Sequence, residues 1–237
     1  MTVPVPVRAA STVVLLRDGE VDLEVLMVRR NRALAFAGGF WVFPGGAVDD
    51  ADRAQAGDDP DEAARYAAAR EAEEEAGVSP DPADMVLISH WTTPVGERKR
   101  FSTWIFAGEV APESKVVIDG SEIHDFQWVG VARALDLHRA GELPMMPPTY
   151  ITLCAVARYD TAAAALAGEK ETPCPRVLPL MLPTEDEGGF VTLYPGDAAC
   201  ESGDIQAPGP RHRAFLSGGC WCYQYEGVSE PALYPQD

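Results

Sequence analysis

The chain has 237 residues, 46% of them hydrophobic, long enough to bury a core in one large domain or in one domain plus an extension. Its 37 Asp and Glu against 19 Lys and Arg leave a net charge of −18, a field that repels nucleic acid, anionic membrane and any phosphate not met by a metal or a local basic cluster. Five cysteines without framework spacing, and no apolar run of membrane-spanning length, predict a cytoplasmic protein with neither a membrane nor a nucleic-acid partner.

In chain order, Met1–Arg8, with Pro4 and Pro6, reads as an extended lead-in. Ala10–Leu16 and Leu23–Arg29 are β-rich runs, and Arg17-Asp18-Gly19-Glu20 between them has hairpin turn chemistry. Arg29, Arg30 and Arg32 follow at once. Each reads alone as a solvated strand end, and together they are the local answer to the acidic field. Phe36, Gly38, Gly39 and Trp41 then lead into Phe43-Pro44-Gly45-Gly46, where paired glycines let backbone approach another group closely. Ala47–Pro60 is acidic and is expected to form a surface loop.

From Asp61 to Ala76 there is no Pro or Gly, and Ala, Glu and Arg dominate, which predicts a helix; Gly77 supplies its left-handed cap. Glu71, Glu74 and Glu75 stand at i, i+3 and i+4 on one face, and Arg70 lies four residues before Glu74. Glu73, Glu74 and Glu75 crowd the C-terminal turn, where the helix dipole disfavours carboxylates. Such a local conflict reads either as a solvated acidic end or as a site, and closely spaced carboxylates suit Mg²⁺ or Mn²⁺.

Phe43-Pro44-Gly45-Gly46, Glu62 and Arg70-Glu71-Ala72-Glu73-Glu74-Glu75-Ala76-Gly77-Val78 together resemble the signature of the Nudix hydrolase family. The second half matches at every fixed position. The first departs, because Gly46 lies 24 residues before Arg70 where the pattern expects 14, an insertion of 10. Arg29-Arg30-Asn31, Trp41–Gly46, His90–Pro94 and Arg100–Phe106 further resemble the coenzyme-A diphosphatase-like branch, including its peroxisomal mammalian members. The resemblance implies an α/β fold, a Nudix-type α/β/α sandwich around a mixed sheet. It also implies a hydrolase that cleaves a nucleoside diphosphate linked to another group X with Mg²⁺ or Mn²⁺. Glu71, Glu74, Glu75 and the Gly46 carbonyl would hold the metal, Arg70 would orient Glu74, and Glu71 or Glu122 would serve as base. The flanking resemblance favours coenzyme A or acyl-coenzyme A as substrate. Pro94, 16 residues after the box, instead favours ADP-ribose or a nucleotide sugar, and a non-catalytic nucleotide-binding module is the reading from another class.

Downstream, Met85–Thr93 and Phe101–Val110 read as strands joined by a turn carrying Arg98, Lys99 and Arg100. That basic tip reads equally as a solvated edge and as a phosphate contact. Ser121–Val129 is the next strand, with Glu122, His124 and Asp125 near its start. The candidate substrate contacts are therefore Arg29, Arg30, Phe36, Trp91, Arg98 and Arg100, with Trp104 a further aromatic that reads also as core. Val131–Arg139 is a short helix, and Thr149 to about Ala167 a longer one. Residues 1–168 are read as the catalytic domain, which allows a homodimer. Residues 169–237, rich in Pro and Gly, are read as an irregular β extension packed on it, whose Cys220-Trp221-Cys222 lacks zinc-knuckle spacing.

Overall fold

The computed structural model describes residues 5–33, 37–118, 120–184 and 189–236. The chain opens with a long strand, β1 (Val7–Asp18), followed by β2 (Leu23–Arg30), β3 (Trp41–Val42) and β4 (Gly45–Ala47). Two helices come next, α1 (Asp50–Ala56) and α2 (Pro60–Ala76), then β5 (Val86–Thr92), β6 (Arg100–Glu109) and β7 (Ile123–Gly130). Three helices follow, α3 (Val131–Arg139), α4 (Pro147–Val156) and α5 (Ala162–Glu171), and then β8 (Arg176–Val177), β9 (Leu180–Pro183) and β10 (Phe190–Leu193). The chain ends with α6 (Ala199–Ser202), β11 (Arg211–Ser217) and β12 (Cys220–Glu226).

The main sheet has eight strands in the order β3-β2-β1-β6-β5-β8, with β4 also pairing β1 and β7 also pairing β2. β1 runs parallel to β6 and β5 parallel to β8, and the other pairs are antiparallel, so the sheet is mixed. β1 is central and covered on both sides. Val13 and Leu15 point to one face and Val14 and Leu16 to the other, and none of the four is exposed. On the first face lies α2, whose inward stripe is almost all alanine: Ala63, Ala64, Ala67, Ala68, Ala72 and Ala76. Small side chains bring the helix axis close to Val13, Leu15 and Phe106, which places the glutamates of its last two turns against the sheet. The second face carries α3, α4 and α5, giving the expected α/β/α layering.

The C-terminal strands form a separate antiparallel sheet, β12-β11-β10-β9. Tyr194, Ala214, Trp221 and Leu233 bury into the core beneath α3–α5, and only a small cluster around Val191, Leu193 and Ala199 belongs to the extension itself. Residues 168 and 169 both lie within α5, and Arg176–Val177 pairs with β5 of the main sheet.

Two sequence expectations are corrected. The acidic insertion is not a loop: Asp50–Ala56 is a helix because Asp49 and Asp52 form a reciprocal capping box. The single helix expected over Thr149–Ala167 is two. Arg158–Thr161 interrupts it, and Thr161 caps α5 through the Ala164 N–H while the Ala162 N–H donates to Asp18 Oδ1 at 2.8 Å.

Candidate active site

The site forms where β1 changes partner. Its second half pairs β2, and its first half pairs β4, with Ser11 opposite Gly46 and Thr12 opposite Gly45. This brings the glycine pair under the C-terminal turns of α2. A methyl group on Gly46 would lie 2.4 Å from the Glu71 carboxylate, so only glycine leaves that carboxylate its position. The Gly45 N–H donates to Glu75 Oε2 at 2.9 Å. Gly77, at φ 66°, ends the helix with its N–H on the Ala72 and Glu73 carbonyls.

Two arginines organise the carboxylates. Arg70 sends Nη1 to Glu71 Oε1 at 2.9 Å and to Glu74 Oε2 at 3.1 Å, and Nη2 to the Ala47 carbonyl at 2.9 Å. Its Nε and Nη2 also bridge both oxygens of Asp52, at 3.2 and 3.0 Å. These acceptors hold the guanidinium firmly charged. Arg30, on the same face as α2, reaches Glu75 Oε1 at 3.7 Å and Glu122 Oε2 at 3.2 Å. Its Nε is buried and, among the described residues, has no hydrogen-bond partner.

Electrostatics sharpen the arrangement. Burial pushes the Glu75 carboxyl up to about 7, repulsion from Glu71 and Glu122 adds to it, and the Gly45 N–H and Arg30 oppose it. Burial likewise raises Glu71, with Arg70 pulling down and Glu74 and Glu122 pushing up. Glu122 thus belongs to the same electrostatic group, although it lies 47 residues past Glu75 in sequence. Glu74 is more exposed. Among the described residues no three acidic, His or Cys side chains close into a metal-holding group; Arg70 holds Glu71 and Glu74, while Arg30 holds Glu75 and Glu122. The donor set nonetheless fits Mg²⁺ or Mn²⁺. It offers carboxylate oxygens beside a glycine backbone that leaves them room, and two of those carboxylates carry a repulsion that a divalent cation would relieve.

The structure therefore brings Glu71, Glu74, Glu75, Arg70, Gly46, Arg30 and Glu122 together. Other expected contacts lie elsewhere. Trp91 is buried on the opposite face, edge-on to Tyr194, with its Nε1–H on Ser89 Oγ, so it belongs to the core and is corrected as a substrate contact. Arg29 alternates to that same far face, where it lies over Trp41 and donates to the Gly39 carbonyl. Arg100 pairs with Val7, four residues (about 13 Å) along β1 from the Ser11–Gly46 level. Its Nε donates to the Thr93 and Pro94 carbonyls, bracing the turn that carries the exposed Arg98. Glu62, nine residues before Glu71 and so roughly 13 Å along the helix, pairs with Arg65. Phe36 lies outside the described residues. His124 and Asp125 are exposed on β7.

One participant was not foreseen. Asp52, from the insertion, is buried and supplies two of the hydrogen bonds on Arg70. The signal was the spacing Asp49-x-x-Asp52, a carboxylate version of the capping box that could have marked the insertion as helical.

The mixed sheet thus backs a glycine-lined carboxylate cluster at the end of one alanine-faced helix, a set of oxygen donors of the kind that suits a divalent cation. A family profile described as NUDIX domain matches residues 6–148, and the chain belongs to the Nudix family, as a hydrolase acting on pyrophosphate bonds. The crystal structure of a NUDIX hydrolase from Alicyclobacillus acidocaldarius superimposes with a TM-score of 0.63 at 26% identity, covering 71% of this chain and 99% of that one. Putative nudix hydrolase 7 of Caenorhabditis elegans is 26% identical over 226 residues, 80% of this chain and 73% of the worm protein. The acyl-coenzyme A diphosphatase NUDT19 of Gallus gallus is 29% identical over 123 residues, 46% of this chain and 30% of the chicken protein. No described helix is long and apolar enough to cross a membrane.

Proposed function

We propose that the chain cleaves the diphosphate of a nucleoside diphosphate linked to a second group, with coenzyme A or acyl-coenzyme A as the substrate class. The observation that carries the reaction is the pairing of Gly45-Gly46 with Glu75 and Glu71, the Gly45 N–H on one carboxylate and the bare Gly46 backbone against the other. The partial similarity to the chicken acyl-coenzyme A diphosphatase supports the substrate class.

Bound Mg²⁺ or Mn²⁺ would supply charge neutralisation at the phosphoryl oxygens and lower the pKa of the attacking water. Glu71, Glu74, Glu75 and the Gly46 carbonyl would hold that ion. Arg70 sets the Glu71 and Glu74 carboxylates, and Asp52 in turn sets Arg70. Arg30 offers its partly exposed guanidinium to a phosphate oxygen, and the Glu75 and Glu122 carboxylates hold it in place. Glu71 or Glu122 takes the proton from water. Burial raises the proton affinity of Glu71, and repulsion from Glu74 and Glu122 adds to it while Arg70 opposes it. The free cysteines fit a reducing compartment such as the cytoplasm.

The test is a substrate panel. The purified protein is incubated with Mg²⁺ or Mn²⁺ and coenzyme A, an acyl-coenzyme A, ADP-ribose, NADH or a diadenosine polyphosphate, and products are separated chromatographically. Coenzyme A and its acyl ester should give 3′-phospho-AMP and the matching phosphopantetheine. Cleavage confined to ADP-ribose or a dinucleotide would refute the substrate class and leave the reaction intact.

A further inference from the structure

The insertion does more than hold Arg70. With the turn after it, α1 stands over Ala9, Val48, Ala63 and Trp104 and encloses a half-open recess of about 170 Å³. A second recess, beside Trp91 and Glu169, has room for about 20 Å³, the scale of one water. An apolar cavity of about 150 Å³ holds benzene, so the recess under the insertion, somewhat larger and open on one side, takes a small flat ring system and excludes a long chain.

Its lining selects for a neutral ring bearing an N–H donor. Among its lining residues Val48, Ala63 and Trp104 are buried, and Arg53 and Asp58 are exposed. Trp104 is held rigidly, with its Nε1–H on Asp61 Oδ1 at 2.7 Å and its ring 4.4 Å from that of His90, edge to face. His90 is fixed in turn by Ser102 at 2.9 Å. Asp59 spends an oxygen capping the Asp61 and Glu62 N–H groups, whereas Asp58 presents an exposed carboxylate. Arg53 is engaged by the Val48 carbonyl and by Asp50, which leaves the Asp58 carboxylate to set the sign of the opening, so the phosphates lie outward, toward Arg30.

The separation from the carboxylates is that of a nucleotide. Val48 is two residues, roughly 7 Å, past Gly46 on the strand leading out of the site. Ala63 is eight residues, about 12 Å, before Glu71 on α2. Resting on the hydrolase reading for the diphosphate itself, we infer that this recess seats the substrate's base, an amine-bearing purine whose exocyclic N–H donates to Asp58. The 10-residue departure from the family's spacing is then a specificity element built over an otherwise open sheet face.

The test measures binding, with no turnover required. Isothermal titration compares AMP, IMP and ribose 5-phosphate on the wild-type protein, on Ala63→Leu, which fills the recess from a buried lining residue, and on Asp58→Ala at an exposed one. Wild type should bind AMP at least tenfold tighter than ribose 5-phosphate and several-fold tighter than IMP. Ala63→Leu should lose the first preference and Asp58→Ala the second, with melting temperatures confirming that each variant is folded. Equal wild-type affinity for AMP and ribose 5-phosphate, or a base preference undiminished by Ala63→Leu, would overturn the assignment, as would an AMP-over-IMP preference that survives Asp58→Ala. Should Ala63→Leu fail to fold, the Asp58→Ala comparison decides alone. A protein that passes this test but cleaves no diphosphate fails only the reaction reading; one that cleaves diphosphates but shows no base preference fails only this one.

Discussion

Asp52 receives the Nε–H and an Nη2–H of Arg70 on its two carboxylate oxygens, at 3.2 and 3.0 Å, with the Asp52 side chain 5% exposed. This two-point bridge fixes the plane of the guanidinium that in turn holds Glu71 and Glu74. Asp52→Ala removes both charge-assisted bonds and half of the α1 capping box, at a cost of roughly 2–3 kcal/mol. A urea titration should show the lower midpoint. The diphosphatase kcat should fall with it, since Arg70 is left free to turn, and Asp52→Glu should recover little because its longer arm cannot reproduce the bridge and the cap together.

The two glycines of β4 predict different failures. A Cβ on Gly46 meets the Glu71 carboxylate at 2.4 Å, the movable end of a side chain, and Gly46 does not have a positive φ. Gly46→Ala should therefore keep nearly all of its stability and lose at least tenfold in kcat. A Cβ on Gly45 meets the Ser11 carbonyl at 2.4 Å and Thr12 Cα at 2.6 Å, which are backbone. Gly45→Ala should destabilise the protein by about 1–3 kcal/mol through displacement of β1 from β4. Melting curves and kinetics on the two variants check both expectations.

Arg30 tests the phosphate contact. Arg30→Lys keeps a charge near Glu75 and Glu122 but loses the buried Nε donor and the planar fork. KM should rise several-fold with a smaller change in kcat, whereas Arg30→Ala should also raise the proton affinity of Glu75 further by removing its cation. A Lys variant with wild-type KM would show that the planar guanidinium does not meet substrate.

The contact between α3 and the extension carries its own pH dependence. His138 is buried between α3 and β12, its Nδ1–H donating to the Leu143 carbonyl at 3.0 Å and its Nε2 accepting the Trp221 N–H at 2.8 Å. The ring is thus held neutral, and burial, helped by Arg139, lowers its pKa although the Leu143 bond opposes this. With the folded-state pKa below 6.5, the unfolded chain binds the proton first, so stability is full above about pH 6.5 and is lost as the pH falls toward the folded value. Glu75 acts oppositely, because its raised pKa makes the folded state the better proton binder between its ordinary value and about 7. Urea midpoints of wild type and His138→Gln from pH 8 to pH 5 separate the two, and the difference between them should shrink as the pH falls.

The reading of α2 from its residues was nearly complete, since uninterrupted Ala, Glu and Arg bounded by Pro60 and Gly77 leave no other structure. Its glutamates could be separated from Glu73 by spacing alone. What sequence could not supply was the other side of each contact. Strand alternation sends Arg30 toward the carboxylates and Arg29 away, but only the pairing of β2 with β7 shows which face is which. Trp91 and Trp104, both aromatic and both on strands, part in the same way, one into the core beneath α4 and α5 and the other beside α2. The helix in the insertion is hidden by its acidic composition, because two of its aspartates cap that helix and one of the two is buried on Arg70.

The most direct measurement is diphosphate cleavage by Glu74→Gln and Glu75→Gln, assayed with Mg²⁺ and with Mn²⁺ on the substrate the wild-type protein turns over. Glutamine keeps the size and helix propensity of both side chains and removes only the charge. The account predicts that each variant folds with a melting temperature close to that of wild type and loses at least a hundredfold in kcat with either ion. Cleavage at an undiminished rate in both variants would show that the carboxylate cluster at the end of α2 is not the centre of the chemistry.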